Sequence, residues 1–312
     1  MKSFQMPGTD LTVPQITLGT MRINELADDA IQTLFNTALD LGVNFFDHAC
    51  IYGGAPHVCE TRFAQAMKLT PSQRAKIVLQ TKCGIVKGPH GYRFDFSYDE
   101  IVSSVDGSLK ALGTDYIDIL LLHRPDALVE PAEVARAFDD LQAAGKVRWF
   151  GVSNHTPGQI DLLERYIRRP LIANQVQISL THCPAIAQGV AANMSWTDQS
   201  VGRDGGLLDY CRLHDMTVQA WSPYQNPDWS GTFLGNPDQA ALNAVLSRLA
   251  GEYGVTPMGI ATAWLTTHPA QMQVVLGTMN PDHLKEAVAG AGVTLKKPDW
   301  YELFEAAGYE IP

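Results

Sequence analysis

Short apolar runs rich in β-branched residues alternate along the chain with longer amphipathic stretches. Runs of this length and composition are typical of buried strands, and the stretches between them have the apolar spacing of helices. The pattern predicts eight strands, at residues 16–20, 43–47, 77–82, 116–123, 148–153, 172–176, 217–221 and 273–277.

Each predicted strand is followed by at least one predicted helix, at residues 28–41, 57–68, 99–112, 131–144, 157–168, 204–214, 239–253 with 257–267, and 281–290. Eight strand–helix units predict an α/β fold of the (β/α)8 TIM-barrel type, with a parallel sheet closed on itself. Residues 1–14 are expected to form a hairpin that closes the bottom of the barrel, and residues 298–312 a terminal helix. Without a linker or a longer repeat, residues 1–312 are expected to form one domain.

Three predicted connections, 83–98, 177–203 and 222–238, are longer than turns require. They follow the third, sixth and seventh predicted strands, so they would lie at the carboxyl end of the barrel, where barrel enzymes place their active sites. We therefore expect these loops to cover a site and to select its substrate.

The composition describes an acidic globular protein. The 312 residues are 46% hydrophobic and carry a formal net charge of −10, which disfavours nucleic acid as a partner and leaves any anionic ligand to a local basic pocket. No apolar run is long enough for a signal peptide or a membrane span, so a cytoplasmic protein is expected. Five scattered cysteines are expected to be reduced thiols.

Polar residues lie at the ends of several predicted strands, where an apolar core would not need them. Because all strands of a parallel barrel end at the same mouth, these side chains are expected to converge. They are Asp47, Lys82, His123, the pair Ser153 and Asn154, and the pair Asn174 and Gln175.

Tyr52 follows the second predicted strand closely enough to return over the mouth. A tyrosine has an ordinary pKa of about 10, so it donates a proton at neutral pH only when a cation stabilises the phenolate that remains. Lys82 is the candidate cation, and Asp47 on the neighbouring strand is the anion that would keep it charged. His123 could donate a hydrogen bond to a substrate oxygen beside Tyr52.

The chain resembles the aldo-keto reductase superfamily, and the resemblance covers most of its length. The motifs that carry it are Gly42-Val43-Asn44-Phe45-Phe46-Asp47-x4-Tyr52-Gly53, Gln80-Thr81-Lys82, Asp115-Tyr116-Ile117-Asp118-x4-His123, Gly151-Val152-Ser153-Asn154, Asn174-Gln175 and Trp221-Ser222-Pro223. Within the superfamily, the Asp-His-Ala motif after the second strand and the final Gly308-Tyr309-x-x-Pro312 look most similar to bacterial oxidoreductases.

The resemblance implies a catalytic tetrad of Asp47, Tyr52, Lys82 and His123. It also implies NADP(H) as cofactor, hydride transfer to a small aldehyde or ketone, and Tyr52 as the general acid. The cofactor contacts it implies are Gly19, Thr20, Met21, Asp47, Ser153, Asn154, Gln175, Trp221, Ser222 and Pro223, with 231–234 lining the groove.

One stretch departs from the family pattern. Where many members have Lys-Ser and then Arg on the extra phosphate of NADPH, this chain has Gly277 and Thr278, then His283 and Glu286. These four residues are expected to contact the cofactor. Backbone N–H groups at the start of the last predicted helix would donate hydrogen bonds to its phosphate. The resemblance favours NADP, and the missing cations leave NAD open.

The sequence is also compatible with other interpretations. His48, Cys50, His57, Cys59 and Glu60 are metal-compatible donors, but their spacing does not match structural zinc sites, so no metal is expected.

A Schiff-base aldolase using Lys82 is an enzymatic rival that leaves Trp221 and Gln175 without a role. A nicotinamide-binding regulator with slow turnover is the rival from another class. A monomer or weak dimer is the default oligomeric state.

Overall fold

The structure is a computed structural model that describes residues 1–89 and 91–312. In chain order, its strands are β1 (Ser3–Gln5), β2 (Thr12–Pro14), β3 (Ile16–Gly19), β4 (Phe45–Asp47), β5 (Val78–Cys83), β6 (Ile85–Gly88), β7 (Gly91–Phe94), β8 (Ile117–Leu122), β9 (Val147–Ser153), β10 (Ala173–Gln177), β11 (Thr217–Trp221) and β12 (Gln273–Leu276).

The helices surround the strands and follow the predicted alternation. They are α1 (Asp28–Asp40), α2 (Val58–Met67), α3 (Pro71–Arg74), α4 (Tyr98–Leu112), α5 (Pro131–Ala143), α6 (Pro157–Glu164), α7 (Pro184–Val190), α8 (Leu207–Leu213), α9 (Ala240–Tyr253), α10 (Pro257–Thr267), α11 (Pro281–Ala291) and α12 (Lys297–Ala306).

Eight parallel strands close into a barrel in the order β10-β11-β12-β3-β4-β5-β8-β9. This arrangement confirms the predicted (β/α)8 barrel. Each of the eight predicted strands corresponds to one barrel strand, with ends that differ by no more than two residues, because a buried parallel strand has a continuous apolar signature.

The two chain ends pack on the barrel as additional elements. β1 and β2 form the antiparallel hairpin expected of residues 1–14, and α12 occupies part of the predicted terminal helix. A small apolar cluster that includes Met6, Val13 and Phe45 lies between the hairpin and the barrel interior. The hairpin therefore covers one end of the barrel and leaves the carboxyl end of the strands for the site.

The long connections contain secondary structure of their own. β6 and β7 form a hairpin within 83–98, and α7 lies within 177–203. Residue 90, which belongs to the predicted loop 83–98, lies outside the described residues. Within the described ranges, no helix combines the length and apolar character that crossing a bilayer requires.

Candidate active site

The centre of the site is the ammonium group of Lys82, which is fully buried at the end of β5. Its Nζ lies 2.6 Å from Asp47 Oδ2 and 2.9 Å from Tyr52 Oη, and it donates a third hydrogen bond to the carbonyl of His48 at 2.9 Å. Asp47 is on the neighbouring strand β4, and Tyr52 returns from the turn that follows it. The structure thus brings together three of the residues that the sequence singles out.

The charges of this group follow from its burial. Burial alone would lower the pKa of Lys82, but the Asp47 carboxylate and the Tyr52 oxygen raise it above its ordinary value. Burial raises the pKa of Tyr52, and the Lys82 ammonium partly opposes that rise. At neutral pH the lysine is therefore charged and the phenol keeps its proton.

Gly53 fixes the turn that carries Tyr52. Its φ is +89°, a conformation that side chains other than glycine rarely adopt, and a Cβ there would lie 2.7 Å from the side chain of Val58. After this turn, the amide of Cys59 donates to the carbonyl of Tyr52 at 3.3 Å. The start of α2 therefore holds the turn that carries Tyr52 against the barrel.

A buried carboxylate ties the same turn to β5. Glu60 is completely buried; one of its oxygens lies 2.6 Å from His57 Nδ1 and the other accepts from Thr81 Oγ1 at 2.6 Å. Although burial raises the pKa of Glu60, the bonds from His57 and Thr81 hold it below its ordinary value. Because Thr81 precedes Lys82, Glu60 links the Tyr52 turn to the lysine strand on the outside of the barrel.

His123 lies beside Tyr52 at the end of β8. The two ring centroids are 5.8 Å apart with an interplanar angle of 82°, and His123 Nδ1 is buried without a partner in the described residues. Burial, with the Lys82 and Arg124 charges, holds the pKa of His123 well below its ordinary value. The imidazole is therefore neutral at physiological pH. It can donate a hydrogen bond but does not act as a general acid.

Beneath the site, the barrel interior contains four buried glutamines instead of an apolar layer. Asp47 Oδ1 accepts from Gln80 at 2.6 Å and from Gln175 at 3.2 Å, and both amides also donate to Gln219 Oε1, at 2.9 and 3.1 Å. Gln219 donates in turn to Gln80 at 3.0 Å and to Gln273 at 2.8 Å. We call Gln80, Gln175, Gln219 and Gln273 the amide column. It orients Asp47 from below.

Trp221 is held beside this column at the end of β11. Its indole Nε1 donates to Asn154 Oδ1 at 3.1 Å, and Asn154 Nδ2 donates to Ser153 Oγ at 2.8 Å. The NH2 group of Gln175 donates hydrogen bonds to Asp47 and Gln219. Its Oε1 accepts no hydrogen bond from residues 1–89 or 91–312. Asn154, with φ of +61°, follows β9 and points its amide across to Trp221.

The residues expected after β3 and β11 lie on either side of this group. Thr20 Oγ1 donates to the Asp47 carbonyl at 3.1 Å and lies 2.9 Å from His48 Nδ1, whereas the Met21 side chain is exposed. The remaining expected positions are Gly19, paired in register with Asp47, Ser222, whose φ is +52°, and Pro223, which is buried.

The segment after β12 is contacted by one cation that the sequence reasoning missed. Arg22 donates from its guanidinium to the carbonyl of Gly277, next to Thr278. Thr278 Oγ1 lies 3.4 Å from His283 Nδ1, and Glu286 is half-buried one turn further along α11. The position of Arg22 directly after Thr20 and Met21 was the available signal, but its contact partner comes from a distant strand.

The donors that resemble a metal cluster in the sequence have other partners. His48 is buried against Thr20 and Phe63, His57 pairs with Glu60, and Cys59 Sγ lies 3.4 Å from the Met21 carbonyl. Burial lowers the pKa of His48 to about 4. Across residues 1–89 and 91–312, no three metal-binding side chains are grouped.

The chain is similar to known proteins over most of its length. A sequence profile described as the Aldo/keto reductase family matches residues 15–307. The chain is 34% identical to the uncharacterized oxidoreductase YcsN of Bacillus subtilis, over 97% of each chain. It is also 34% identical to a 6-dehydroglucose reductase of Agrobacterium fabrum, over 96% of this chain and 97% of that one.

A third relative is the oxidoreductase YdhF of Escherichia coli, which is 35% identical over 88% of this chain and 86% of its own. The family match spans most of the chain, and these relatives share the oxidoreductase description. Together they support an enzyme that carries out carbonyl reduction in general terms. The chain belongs to the aldo/keto reductase family.

Proposed function

We propose that this protein is an NADPH-dependent reductase that converts aldehydes or ketones to alcohols, with Tyr52 as the general acid. The observation that carries the proposal is the position of Lys82 Nζ, 2.6 Å from Asp47 Oδ2 and 2.9 Å from Tyr52 Oη. A buried ammonium pinned by a carboxylate and touching a phenol is suited to stabilising a phenolate, and hence to a proton transfer from Tyr52.

The residues around Trp221 fit a nicotinamide cofactor. The Oε1 of Gln175 has no partner in the described residues and could accept from a carboxamide, while the indole of Trp221 offers a flat surface held in place by Asn154. When bound, the reduced nicotinamide supplies a hydride to the carbonyl carbon. The rest of the groove is proposed to be lined by Gly19, Thr20, Met21, Ser153, Ser222, Pro223, Gly277, Thr278, His283 and Glu286.

The protein residues supply the proton. As the carbonyl carbon gains the hydride, its oxygen takes the phenol proton of Tyr52, and the alcohol forms. The Lys82 ammonium, 2.9 Å away, stabilises the phenolate until solvent returns a proton to it. The neutral imidazole of His123 donates a hydrogen bond to the same oxygen and polarises the carbonyl. Fixing the reactants in this arrangement can remove on the order of 7–11 kcal/mol of barrier.

The aldolase alternative is weakened by the state of Lys82. A Schiff-base lysine attacks as a free amine and therefore needs a lowered pKa. Here Asp47 and Tyr52 raise the pKa of Lys82 against the effect of burial, and all three ammonium protons have oxygen partners. The lysine is thus held as a cation. The regulatory alternative is decided by turnover.

Tyr52→Phe provides the decisive test. We expect the purified protein to oxidise NADPH in the presence of 4-nitrobenzaldehyde, and Tyr52→Phe to lower kcat by about 10²–10⁴-fold because it lacks the proton donor. NADPH binding, measured by quenching of tryptophan fluorescence, should persist in the variant. Equal rates in the two proteins would contradict Tyr52 as the acid, and tight NADPH binding without turnover in the wild type would favour the regulator.

The cofactor preference is tested in the same assay. We propose NADPH as the cofactor, in keeping with Arg22 at the Gly277 carbonyl as a nearby cation. NADH is measured alongside at equal concentration. A kcat/KM that is higher with NADH than with NADPH would contradict the proposed preference and leave the carbonyl chemistry standing.

A further inference from the structure

Arg124 is a cation at the mouth of the barrel that has no role in the proton transfer. It follows His123 at the end of β8, is half-buried, and makes no hydrogen bond or ion pair with any residue in 1–89 or 91–312. Its Cζ lies 5.6 Å from the centroid of the Trp221 ring. Burial lowers the pKa of the guanidinium from its ordinary value, although an arginine stays charged in proteins.

The acidic groups nearby are engaged elsewhere. Asp126, two residues further on, accepts from the amides of Phe96 and Leu128 at 2.9 and 2.8 Å. Asp47 is saturated by Lys82 and two amides of the column. Lys82 and Asp47 pair with each other, so Arg124 is left without an ion-pair partner in residues 1–89 and 91–312 of a protein whose net charge is −10.

The topology directs this charge to the substrate and away from the cofactor phosphates. In the barrel, β5, β4 and β3 separate β8 from β12 in one direction, and β9, β10 and β11 separate them in the other. Arg124 therefore begins opposite the Gly277 segment, where the phosphates are proposed to bind, and its side chain extends over the mouth toward Trp221. This places the guanidinium beside the Trp221 ring, near the residues that are proposed to bind and protonate the carbonyl compound.

We propose that Arg124 binds an anionic group, carboxylate or phosphate, on the carbonyl substrate, so that the enzyme prefers acidic aldehydes or ketones to neutral ones. The planar guanidinium can donate two parallel hydrogen bonds to either anion, and partial burial strengthens them. The inference rests on the proposed function and names the substrate class of the same site.

The test compares substrates that share a shape and differ in charge. KM and kcat are measured for 4-carboxybenzaldehyde and 4-nitrobenzaldehyde with the wild type, Arg124→Gln and Arg124→Lys. We expect Arg124→Gln to raise KM for the carboxylate at least about tenfold and to change KM for the nitro compound less than about threefold. Arg124→Lys should recover part of the loss. A second pair, glyceraldehyde 3-phosphate and glyceraldehyde, distinguishes phosphate from carboxylate.

Two controls keep the inference separate from the proposed function. Arg168→Gln removes an exposed arginine from the connection between α6 and β10, at the amino end of the barrel strands, and should change neither KM. Binding of 4-carboxybenzyl alcohol to the NADP+ complex, followed by tryptophan fluorescence, tests Arg124 without turnover. If neither aldehyde is reduced, the proposed function fails, and the alcohol still tests Arg124. The Arg124 inference is overturned if Arg124→Gln changes KM equally for the carboxylate and the nitro compound. It is also overturned if the wild type prefers neither the carboxylate nor the phosphate substrate to its neutral counterpart.

Discussion

Lys82 keeps a full positive charge inside the barrel because three oxygens surround its ammonium group. Moving a single charge out of water is costly, and the cost is offset here by Asp47 at 2.6 Å and by hydrogen bonds to Tyr52 and the His48 carbonyl. The charges of Asp47 and Lys82 consequently stabilise each other in the barrel interior. The pair is a feature of stability as well as of chemistry, and the two effects can be separated by mutation.

We expect Lys82→Met to lower the free energy of unfolding by about 3–5 kcal/mol, because it leaves the Asp47 carboxylate buried without its cation. Denaturation in urea at pH 7 measures the change. The double variant Asp47→Asn/Lys82→Met should recover a large part of this loss, since no unpaired charge remains, while its reductase activity stays absent. A double variant no more stable than Lys82→Met would show that the charge pair does not account for the loss.

At the scale of the elements, the barrel strands were predictable and several shorter elements were not. Strands such as β8, whose six residues are all buried, appear as short apolar runs, and their length distinguishes them from the longer helices. The sequence predicts a loop where β6 and β7 form a hairpin, because both strands are only four residues long and all four β7 residues are exposed. The predicted helix 157–168 ends at Glu164, where the chain turns toward β10.

The site was predictable only in part, for a related reason. Asp47, Lys82 and His123 stand at strand ends, and the topology of a parallel barrel is sufficient to bring strand ends together. Of the amide column, only Gln175 is among the strand-end residues expected to converge. Gln80 and Gln219 lie inside their strands and Gln273 begins β12, and glutamine at such positions has no characteristic pattern. Arg22 and Arg124 were missed because their surroundings come from distant segments.

The column gives a prediction at this scale. Gln219→Leu removes one of the two acceptors of the Gln80 and Gln175 amides and the donor to the Oε1 atoms of Gln80 and Gln273. Each buried oxygen left without a partner costs about 1–3 kcal/mol. We expect reduced stability in urea and a lower kcat/KM, since Asp47 and Gln175 lose their orientation. Gln15→Leu is the matched control, because Gln15 is buried outside the column and its Oε1 has no partner in the described residues. A larger loss for Gln15→Leu would refute this account of the column.

For the molecule as a whole, histidines removed from water contribute to the loss of stability in acid. Burial lowers the pKa of His48, His155 and His268 from 6.5 to about 4 in each case. The unfolded chain therefore binds more protons than the folded one between these values. The corresponding stability is complete above pH 6.5 and is lost as the pH falls toward 4, by up to about 1.4 kcal/mol per pH unit for each histidine.

We expect the free energy of unfolding to decrease steeply between pH 6.5 and pH 4, and the slope to be shallower in His155→Gln. The glutamine amide can still donate to the Ser153 carbonyl, which lies 2.9 Å from His155 Nδ1 in the wild type. Urea denaturation at several pH values measures both slopes. His214→Gln, at an exposed site, should follow the wild type; parallel curves for His155→Gln and the wild type would be evidence against the explanation.

The four glutamines inside the barrel also limit how this scaffold can be re-engineered. A hydrocarbon side chain introduced at one of these positions would leave the remaining carboxamides facing it, so single replacements are penalised even where their volume fits. An apolar barrel interior would require replacing all four glutamines together and providing Asp47 with new hydrogen-bond donors. Altering selectivity through the loops at the rim leaves this constraint untouched.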